Sequence, residues 1–141
     1  MKKRYFILGI IIILLDQLVK SLMINKNIVV IKNVFKFSFT KNYGMAFGIG
    51  NGLLPTVISA ILMILLVIFI ALKRHEIKNL LPFVFILSGG ISNLIDRIFR
   101  GYVIDYISAF NFPIFNIADS FIVVGVFIII FIYIKRFINK V

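Results

Sequence analysis

Four apolar runs of about twenty residues each constrain what this 141-residue chain can fold into. Each run is long enough to cross about 30 Å of hydrocarbon as an α-helix. The chain is 62% hydrophobic, whereas soluble domains are about 45–50% apolar. The sequence therefore predicts a single membrane domain, residues 1–141, whose four spanning helices cover residues 5–24, 54–72, 80–99 and 113–134.

The basic residues indicate how these helices are oriented. A formal net charge of +11 can indicate nucleic-acid binding, but here Lys and Arg cluster beside the apolar runs, so no nucleic-acid partner is expected. The amino terminus, the loop 73–79 and the carboxyl terminus each carry three basic residues, whereas residues 25–53 carry four in a much longer segment. By the positive-inside rule, both termini are predicted to be cytoplasmic, with segments 25–53 and 100–112 outside.

Several alternatives are excluded by residue content. The first run resembles a cleaved signal peptide, but it carries Asp16, Gln17 and Lys20 and no small-residue cleavage motif follows, so we interpret it as a retained helix. The absence of cysteine excludes disulfides and thiolate zinc sites. His75 is the only histidine, which excludes multi-histidine metal sites. A metal site of aspartates alone stays open on the residues, although no metal or other cofactor is expected.

Residues 34–40 alternate apolar and polar, which is typical of a half-buried strand. The alternation predicts that three phenylalanines, Phe35, Phe37 and Phe39, share one face. Two interpretations stay open: the aromatic face rests on the membrane surface, or it forms a platform for an extended peptide. The predicted fold is thus a membrane all-α four-helix bundle with a small extracytoplasmic β-sheet, within about residues 28–49, between the first two helices. Nearby glycines that we expect to let this segment flex are Gly44, Gly48, Gly50 and Gly52.

The acidic residues point to a site. Glu76 lies in the basic loop and is interpreted as a surface charge, but three of the four aspartates lie inside apolar runs, where a charge costs about 2.5–3.5 kcal/mol. At 1.5 Å per residue, Asp16 lies about 18 Å from the inner boundary and Asp119 about 9 Å from the outer one. Asp96 lies near the outer end of its run, and Asp105 is expected in the outer loop. We therefore expect all four carboxyl groups to meet in the outer half of the membrane.

The spacing of basic residues divides these aspartates into two pairs. Asp16 has Lys20 four positions later, and Asp96 has Arg97 and Arg100 on its own helix, so both are interpreted mainly as structural ion pairs. Asp105 and Asp119 have no such partner. Two unpaired carboxyl groups brought close together share a proton, so that one can act as a base and the other as an acid, as in aspartic proteases.

Five short motifs, in the order in which they occur along the chain, strongly resemble those of the bacterial lipoprotein signal peptidases (signal peptidase II). The ordered set spans residues 16–120 and includes all four aspartates, which makes the resemblance specific. The motifs are Asp16-Gln17-x-x-Lys20, Asn42-Tyr43-Gly44-x-Ala46-Phe47, Gly90-x-x-Asn93-x-x-Asp96-Arg97, Val103-x-Asp105-Tyr106 and Phe115-Asn116-x-Ala118-Asp119-Ser120.

The resemblance implies a membrane aspartyl endopeptidase that removes the signal peptide of a prolipoprotein by cleaving before a diacylglyceryl-modified cysteine. It implies an enzyme of the bacterial cytoplasmic membrane with its active site near the outer face. The expected partners are the prolipoprotein and membrane lipids, and a monomer is expected. It also implies roles for ten residues: Asp105 and Asp119 are catalytic; Asn42, Gly44, Asn93, Arg97 and Asn116 line the substrate site; and Asp16, Lys20 and Asp96 support it.

Two other functions are compatible with four spans. A small four-helix transporter could use an intramembrane aspartate as a proton or cation site. An assembly subunit without activity could use the aspartates in structural ion pairs. The alternating outer strand and the grouping of four aspartates at one depth favour the peptidase over the transporter, and hydrolysis of a lipidated precursor without an ion gradient would distinguish them.

Overall fold

The computed structural model describes residues 2–44, 53–110 and 112–139. The motif residues Ala46 and Phe47, the glycines at 48, 50 and 52, and the end of the predicted β segment lie outside the described residues. Four helices of 19–22 residues are each long and apolar enough to cross a membrane. Their bounds are α1 Lys2–Met23, α2 Leu54–Leu72, α3 Leu81–Arg100 and α4 Ile117–Ile138.

Local sequence explains where these helices begin and end. Proline occupies the first turn of both α2 and α3, where its missing N–H is not needed. The helix α3 ends at Arg100 and is followed by Gly101, whose φ of 79° is left-handed and favours glycine. The helix α4 begins at Ile117, later than the 113 suggested by hydrophobicity, because Phe115 bridges to a strand and Asn116 caps the helix.

The helix α3 lies at the centre and packs against α1, α2 and α4. Two consecutive glycines allow this close approach. A Cβ atom at Gly89 would collide with the carbonyl oxygen of Ala118 on α4, and one at Gly90 would collide with Met63 on α2. At the centre of the bundle, the glycines of α3 therefore let α2 and α4 pack closer than larger side chains would allow.

An antiparallel sheet of three strands, in the order β1-β2-β3, lies against the helices. The strands are β1 Asn27–Ile31, β2 Phe35–Asn42 and β3 Val103–Ala109. The four helices and the small sheet confirm the predicted fold class. The third strand, however, was not predicted: Asp105 lies on a strand rather than in a loop, because residues 103–109 pair with β2 from a distant part of the sequence.

A β-bulge changes the faces of β2. Phe37 pairs with Ile107, but the next paired residue, Thr40, is opposite Asp105, so β2 has one more residue than β3 in this interval. Side chains alternate along a strand, so the extra residue reverses the alternation beyond it. The predicted face shared by Phe35, Phe37 and Phe39 is therefore interrupted.

The burial pattern is the reverse of that in a soluble protein. Large apolar side chains on the helices are exposed, including Phe6 at 72% and Phe131 at 65%. Charged and amide side chains lie inside instead, and Asp16, Lys20 and Asp96 are 0% exposed. Exposed apolar faces and a polar interior are what a membrane protein with an internal polar site requires.

Candidate active site

The site is built around Asn116, which caps α4 and contacts both unpaired aspartates. Its side-chain oxygen accepts from the backbone N–H of Asp119 at 2.9 Å, and its own backbone N–H donates to Asp119 Oδ2 at 3.1 Å, forming a capping box. Its Nδ2 donates to Asp105 Oδ1 at 2.7 Å. One fully buried asparagine therefore holds the two carboxyl groups that come from β3 and α4.

Asp105 is nearly buried, at 3% exposure, and is held from two sides. Asn42 on β2 donates from Nδ2 to Asp105 Oδ2 at 2.8 Å, opposite the contact from Asn116. The bulge makes this contact available, because it turns Asn42 to the face on which Asp105 lies. Both carboxylate oxygens of Asp105 thus accept an amide N–H.

The pKa of Asp105 is raised from 3.8 to about 6, first by burial and then by the negative charge of Asp119. The hydrogen bonds from Asn42 and Asn116, and the more distant charge of Lys20, act in the opposite direction. Burial disfavours the charged form, and a nearby like charge disfavours it further. This carboxyl group therefore holds a proton to a higher pH than an exposed aspartate does.

Asp119 is linked to the first helix through Asn93. Asn93 on α3 donates from Nδ2 to Asp119 Oδ1 at 2.7 Å. Its oxygen accepts from Lys20 Nζ at 2.8 Å and from Asn116 Nδ2 at 3.2 Å. Two asparagines, Asn93 and Asn116, therefore connect the two carboxyl groups to each other and to the buried lysine.

Lys20 is the centre of a second polar cluster directly behind the first. Its ammonium lies 2.7 Å from Asp16 Oδ2 and 2.9 Å from Asp96 Oδ2, and all three side chains are 0% exposed. Asp16 also accepts from the backbone N–H of Ala118 at 2.8 Å, and Asp96 accepts from that of Ile104 at 3.2 Å. The cluster therefore ties α1 and α3 to the residues directly before Asp119 and Asp105.

Two polar residues of this cluster, Gln17 and Ser92, had no predicted role. Gln17 Nε2 donates to the carbonyl and hydroxyl oxygens of Ser92 and to Asp96 Oδ1, each at 3.0 Å. Ser92 in turn donates to Asp16 Oδ2 at 2.7 Å. Polar residues in an apolar run were the available signal, since Gln17 follows Asp16 and Ser92 precedes Asn93 in the sequence.

The two arginines of α3 have different partners. Arg100 forms the ion pair with Asp96 and also donates to Gln17 Oε1 at 2.9 Å. Arg97 instead donates from Nη2 to the carbonyl oxygen of Gly44 at 3.0 Å. The pairing of Asp96 with Arg97 suggested by their spacing is therefore not the one observed, because adjacent residues project from different sides of a helix.

Away from the site, Glu76 forms an exposed pair with Lys73 at 2.8 Å, in agreement with its interpretation as a surface charge.

Within residues 2–44, 53–110 and 112–139, no three histidine or acidic side chains are grouped as metal ligands would be. The structure thus brings nine of the ten predicted residues into two adjoining clusters, Gly44 through its backbone N–H, which donates to Asn42 Oδ1 at 3.0 Å. The tenth, Arg97, is connected to them through the Gly44 carbonyl oxygen.

Comparison with known proteins identifies relatives of this arrangement. A family model described as signal peptidase (SPase) II matches residues 8–135. A lipoprotein signal peptidase of Halothermothrix orenii is 39% identical over 132 residues, which cover 89% of this chain and 91% of that protein. A lipoprotein signal peptidase of Halalkalibacterium halodurans is 40% identical over 134 residues, which cover 86% of each chain.

Solved structures show the same fold. A bacterial membrane enzyme determined by the in meso method at 2.3 Å resolution superposes with a TM-score of 0.84 at 26% identity. The superposition covers 99% of this chain and 92% of the other. The resemblance found in five short motifs therefore extends over nearly the whole chain.

Proposed function

This chain belongs to the signal peptidase II family, and we propose that it is an aspartyl endopeptidase that removes signal peptides from prolipoproteins. The family makes it a protease, and its four apolar helices make it a multi-pass membrane protein. The proposed cut lies immediately before the cysteine that carries the diacylglyceryl group. The observation that carries the proposal is the contact of one asparagine, Asn116, with both Asp105 and Asp119.

The proposed chemistry uses the two aspartates as an acid–base pair. Because burial and the charge of Asp119 raise the pKa of Asp105 to about 6, the pair retains one proton to a higher pH than two isolated carboxyl groups do. The ionised carboxylate takes a proton from water, whose oxygen forms a bond to the peptide carbonyl carbon, and the protonated carboxyl donates to the carbonyl oxygen. The C–N bond of the tetrahedral intermediate then breaks as the carboxyl that took the proton from water gives it to the amine nitrogen. The other carboxylate takes back the proton of the hydroxyl group as the C=O bond forms, which restores the starting pair.

The proposed substrate contacts come from side chains that already touch these carboxyl groups. Asn42, Asn93 and Asn116 each donate an amide N–H to Asp105 or Asp119. A peptide bond that reaches the carboxyl groups therefore lies beside these amides. We place Arg97 and Gly44 at the rim of this site, since the Arg97 guanidinium holds the Gly44 carbonyl.

Asp16, Lys20 and Asp96 are proposed to support the site rather than to react. Lys20 is enclosed by two carboxylates and the Asn93 oxygen, so its three donors are all used. Asp16 and Asp96 hold the backbone next to each catalytic residue. Such a network fixes the geometry from which acid–base chemistry proceeds.

The proposed setting is the bacterial cytoplasmic membrane, with both termini in the cytoplasm. The distribution of basic residues supports this orientation, since the ends of α2 and α4 that carry Lys73 and Arg136 lie opposite the sheet. The sheet and Asp105 are then at the outer face. The substrate signal peptide is itself apolar, and the exposed apolar helix faces would allow it and its lipid to approach from within the membrane. The enzyme is proposed to act as a monomer in contact with membrane lipids.

The transporter alternative is less well supported. An intramembrane aspartate that carries a proton or cation has to exchange it, but both oxygens of Asp16 are occupied by Lys20, Ser92 and the Ala118 backbone. The family relatives are also peptidases by description.

The test is cleavage of a purified diacylglyceryl prolipoprotein by the purified protein in detergent, where no ion gradient exists. We expect release of the signal peptide with the new amino terminus at the lipidated cysteine, no effect of a chelator, and no cleavage by Asp105→Asn. Inhibition by a chelator that a divalent ion reverses would replace the acid–base pair by a metal site. A folded protein that leaves the precursor intact would contradict the peptidase function itself.

A further inference from the structure

A cleft of about 500 Å³ opens between α2, α3 and α4, at the opposite end of the bundle from the sheet. Its walls are apolar. Phe69 of α2 and Phe83 of α3 lie on one side, with ring centroids 6.2 Å apart, and Ile129, Ile132 and Tyr133 of α4 lie on the other. Two of these residues are exposed, Phe69 at 48% and Tyr133 at 75%. The cleft is thus an apolar space between three membrane-spanning helices, and none of the described residues fills it.

The mouth of this cleft is basic. Among the described residues, three basic side chains line it: Lys73 at the end of α2, Lys78 in the following loop and Arg136 on α4. Glu76, the one acidic side chain among the described residues that line the cleft, is paired with Lys73 at 2.8 Å. Lys78 and Arg136, which come from different elements, therefore bring positive charge to the cleft that Glu76 does not balance.

We propose that this cleft binds one anionic diacyl phospholipid, with its phosphate between Lys78 and Arg136 and an acyl chain along the aromatic walls. The occupant has to combine a negative headgroup with a long apolar chain, because the mouth is basic and the walls below it are apolar. A basic pocket between membrane-spanning helices suits such a lipid. A soluble anion would leave the walls uncovered, and a neutral lipid would leave both basic side chains unused.

The proposal differs from a general attraction between basic loops and an anionic membrane. Arg74 and Lys135 lie at the same end of the bundle but do not line this cleft. Replacing Arg74 and Lys135 by neutral residues removes as many positive charges from this end of the bundle as replacing Lys78 and Arg136 does. A bound lipid depends on Lys78 and Arg136 specifically, whereas diffuse attraction depends on the total charge.

The experiment measures the thermal unfolding midpoint of the detergent-purified protein during titration with short-chain phosphatidylglycerol, phosphatidylcholine or glycerol phosphate. Of these three compounds, we expect only phosphatidylglycerol to raise the unfolding midpoint, and the rise should saturate as its concentration increases. In Lys78→Gln/Arg136→Gln the apparent affinity should fall about 30-fold, because each basic side chain at an anionic headgroup contributes about fivefold. In Arg74→Gln/Lys135→Gln it should stay within about twofold. Equal losses in both variants, or an equal effect of phosphatidylcholine or glycerol phosphate, would overturn the proposal.

A second measurement needs no variant and no enzymatic activity. A photoreactive phosphatidylglycerol added to the unmodified protein should label residues 129–136 and 69–83, identified by peptide mass spectrometry. Competition by unlabelled phosphatidylglycerol should remove this labelling. Labelling spread evenly over all four helices would show ordinary annular lipid and would contradict a specific site.

Discussion

The side-chain oxygen of Asn93 lies 2.8 Å from the ammonium of Lys20, and this contact decides how Asn93 faces Asp119. A lysine ammonium only donates, so the amide oxygen has to face it. The amide NH₂ is then turned toward Asp119, whose Oδ1 it reaches at 2.7 Å. A buried charge on the first helix thereby sets a hydrogen-bond donor at the proposed catalytic residue on the fourth.

The first prediction follows from this orientation. Asn93→Ala should lower kcat by about 10- to 100-fold, since it removes a hydrogen bond to a carboxylate worth roughly 1.5–3 kcal/mol. Asn93→Asp should be more damaging than Asn93→Ala, because an oxygen would face Asp119 where a donor stood. Steady-state cleavage kinetics of folded protein provide the measurement. An Asn93→Asp enzyme with unchanged kcat would show that the orientation of this amide does not matter.

The second prediction concerns the carboxyl pair. Asp105→Asn and Asp119→Asn should each reduce cleavage at least about 100-fold, because either change removes one proton-transfer role. The shape of the side chain is conserved, so membrane insertion and the thermal unfolding midpoint should change little. The measurement is single-turnover cleavage of a lipidated precursor, with Thr40→Ala as a control beside the site. Full activity in either asparagine variant would remove that residue from the catalytic pair.

The third prediction separates support from chemistry. Asp16→Ala should destabilise the fold by roughly 3–5 kcal/mol, because it deprives buried Lys20 of one carboxylate partner and leaves the Ala118 N–H without its acceptor. We expect low yield and a lower unfolding midpoint, with residual cleavage by the folded fraction. The exposed Ser21→Ala on the same helix is the control. A stable Asp16→Ala protein without any activity would instead place Asp16 among the catalytic residues.

The fourth prediction concerns pH. The pKa of Asp105 is raised to about 6, so the protonated form needed by the pair is lost as the pH rises through that value. The cleavage rate should therefore fall above about pH 6 if this proton is used. Removing Asn42 removes a hydrogen bond that lowers this pKa, so Asn42→Ala should move the falling limb to higher pH in addition to weakening substrate handling.

Rate profiles of the unmodified enzyme and Asn42→Ala check this shift, with Thr40→Ala as the matched control on the same strand. A falling limb at the same pH in all three proteins would assign the limb to another group.

The raised pKa of Asp105 also makes the stability of the fold depend on pH. Because the folded state holds the proton more tightly, the favourable contribution of Asp105 is complete below the ordinary pKa near 3.8 and is lost as the pH rises through about 6.

Much of this architecture follows from local sequence. Runs of apolar residues predict the helices because a span has to match the membrane thickness. The spacing of Asp16 and Lys20 predicts their ion pair because residues four apart share a helix face, and the pair is observed at 2.7 Å. These features depend on residues that are close together in the chain, so pattern alone is sufficient.

The unpredicted features all depend on contacts between distant segments. The strand β3 forms because Val103–Ala109 meets β2, more than sixty residues earlier in the sequence. The position of Asn93 between Lys20 and Asp119 joins three helices and has no local signature. The bulge in β2 is likewise a property of strand pairing, so the alternation of residues 34–40 could not indicate it.

The fifth prediction tests that bulge. Between Phe37 and Thr40, β2 has one more residue than the opposing stretch of β3, and this brings Asn42 to the face of Asp105. Deleting Ser38 should restore simple alternation and turn Asn42 to the opposite face. Cleavage should then fall at least as far as in Asn42→Ala, although Asn42 is still present.

Ser38→Ala is the matched control, because it keeps the length of β2 and loses only a hydroxyl. We expect it to cleave at nearly the unmodified rate, whereas the deletion variant inserts as a four-helix protein with little activity. Adding Asn42→Ala to the deletion should produce no further loss, since the amide no longer reaches Asp105. If the deletion variant instead retains normal cleavage and remains sensitive to Asn42→Ala, the strand has found another way to present Asn42, and the bulge has no role in placing it.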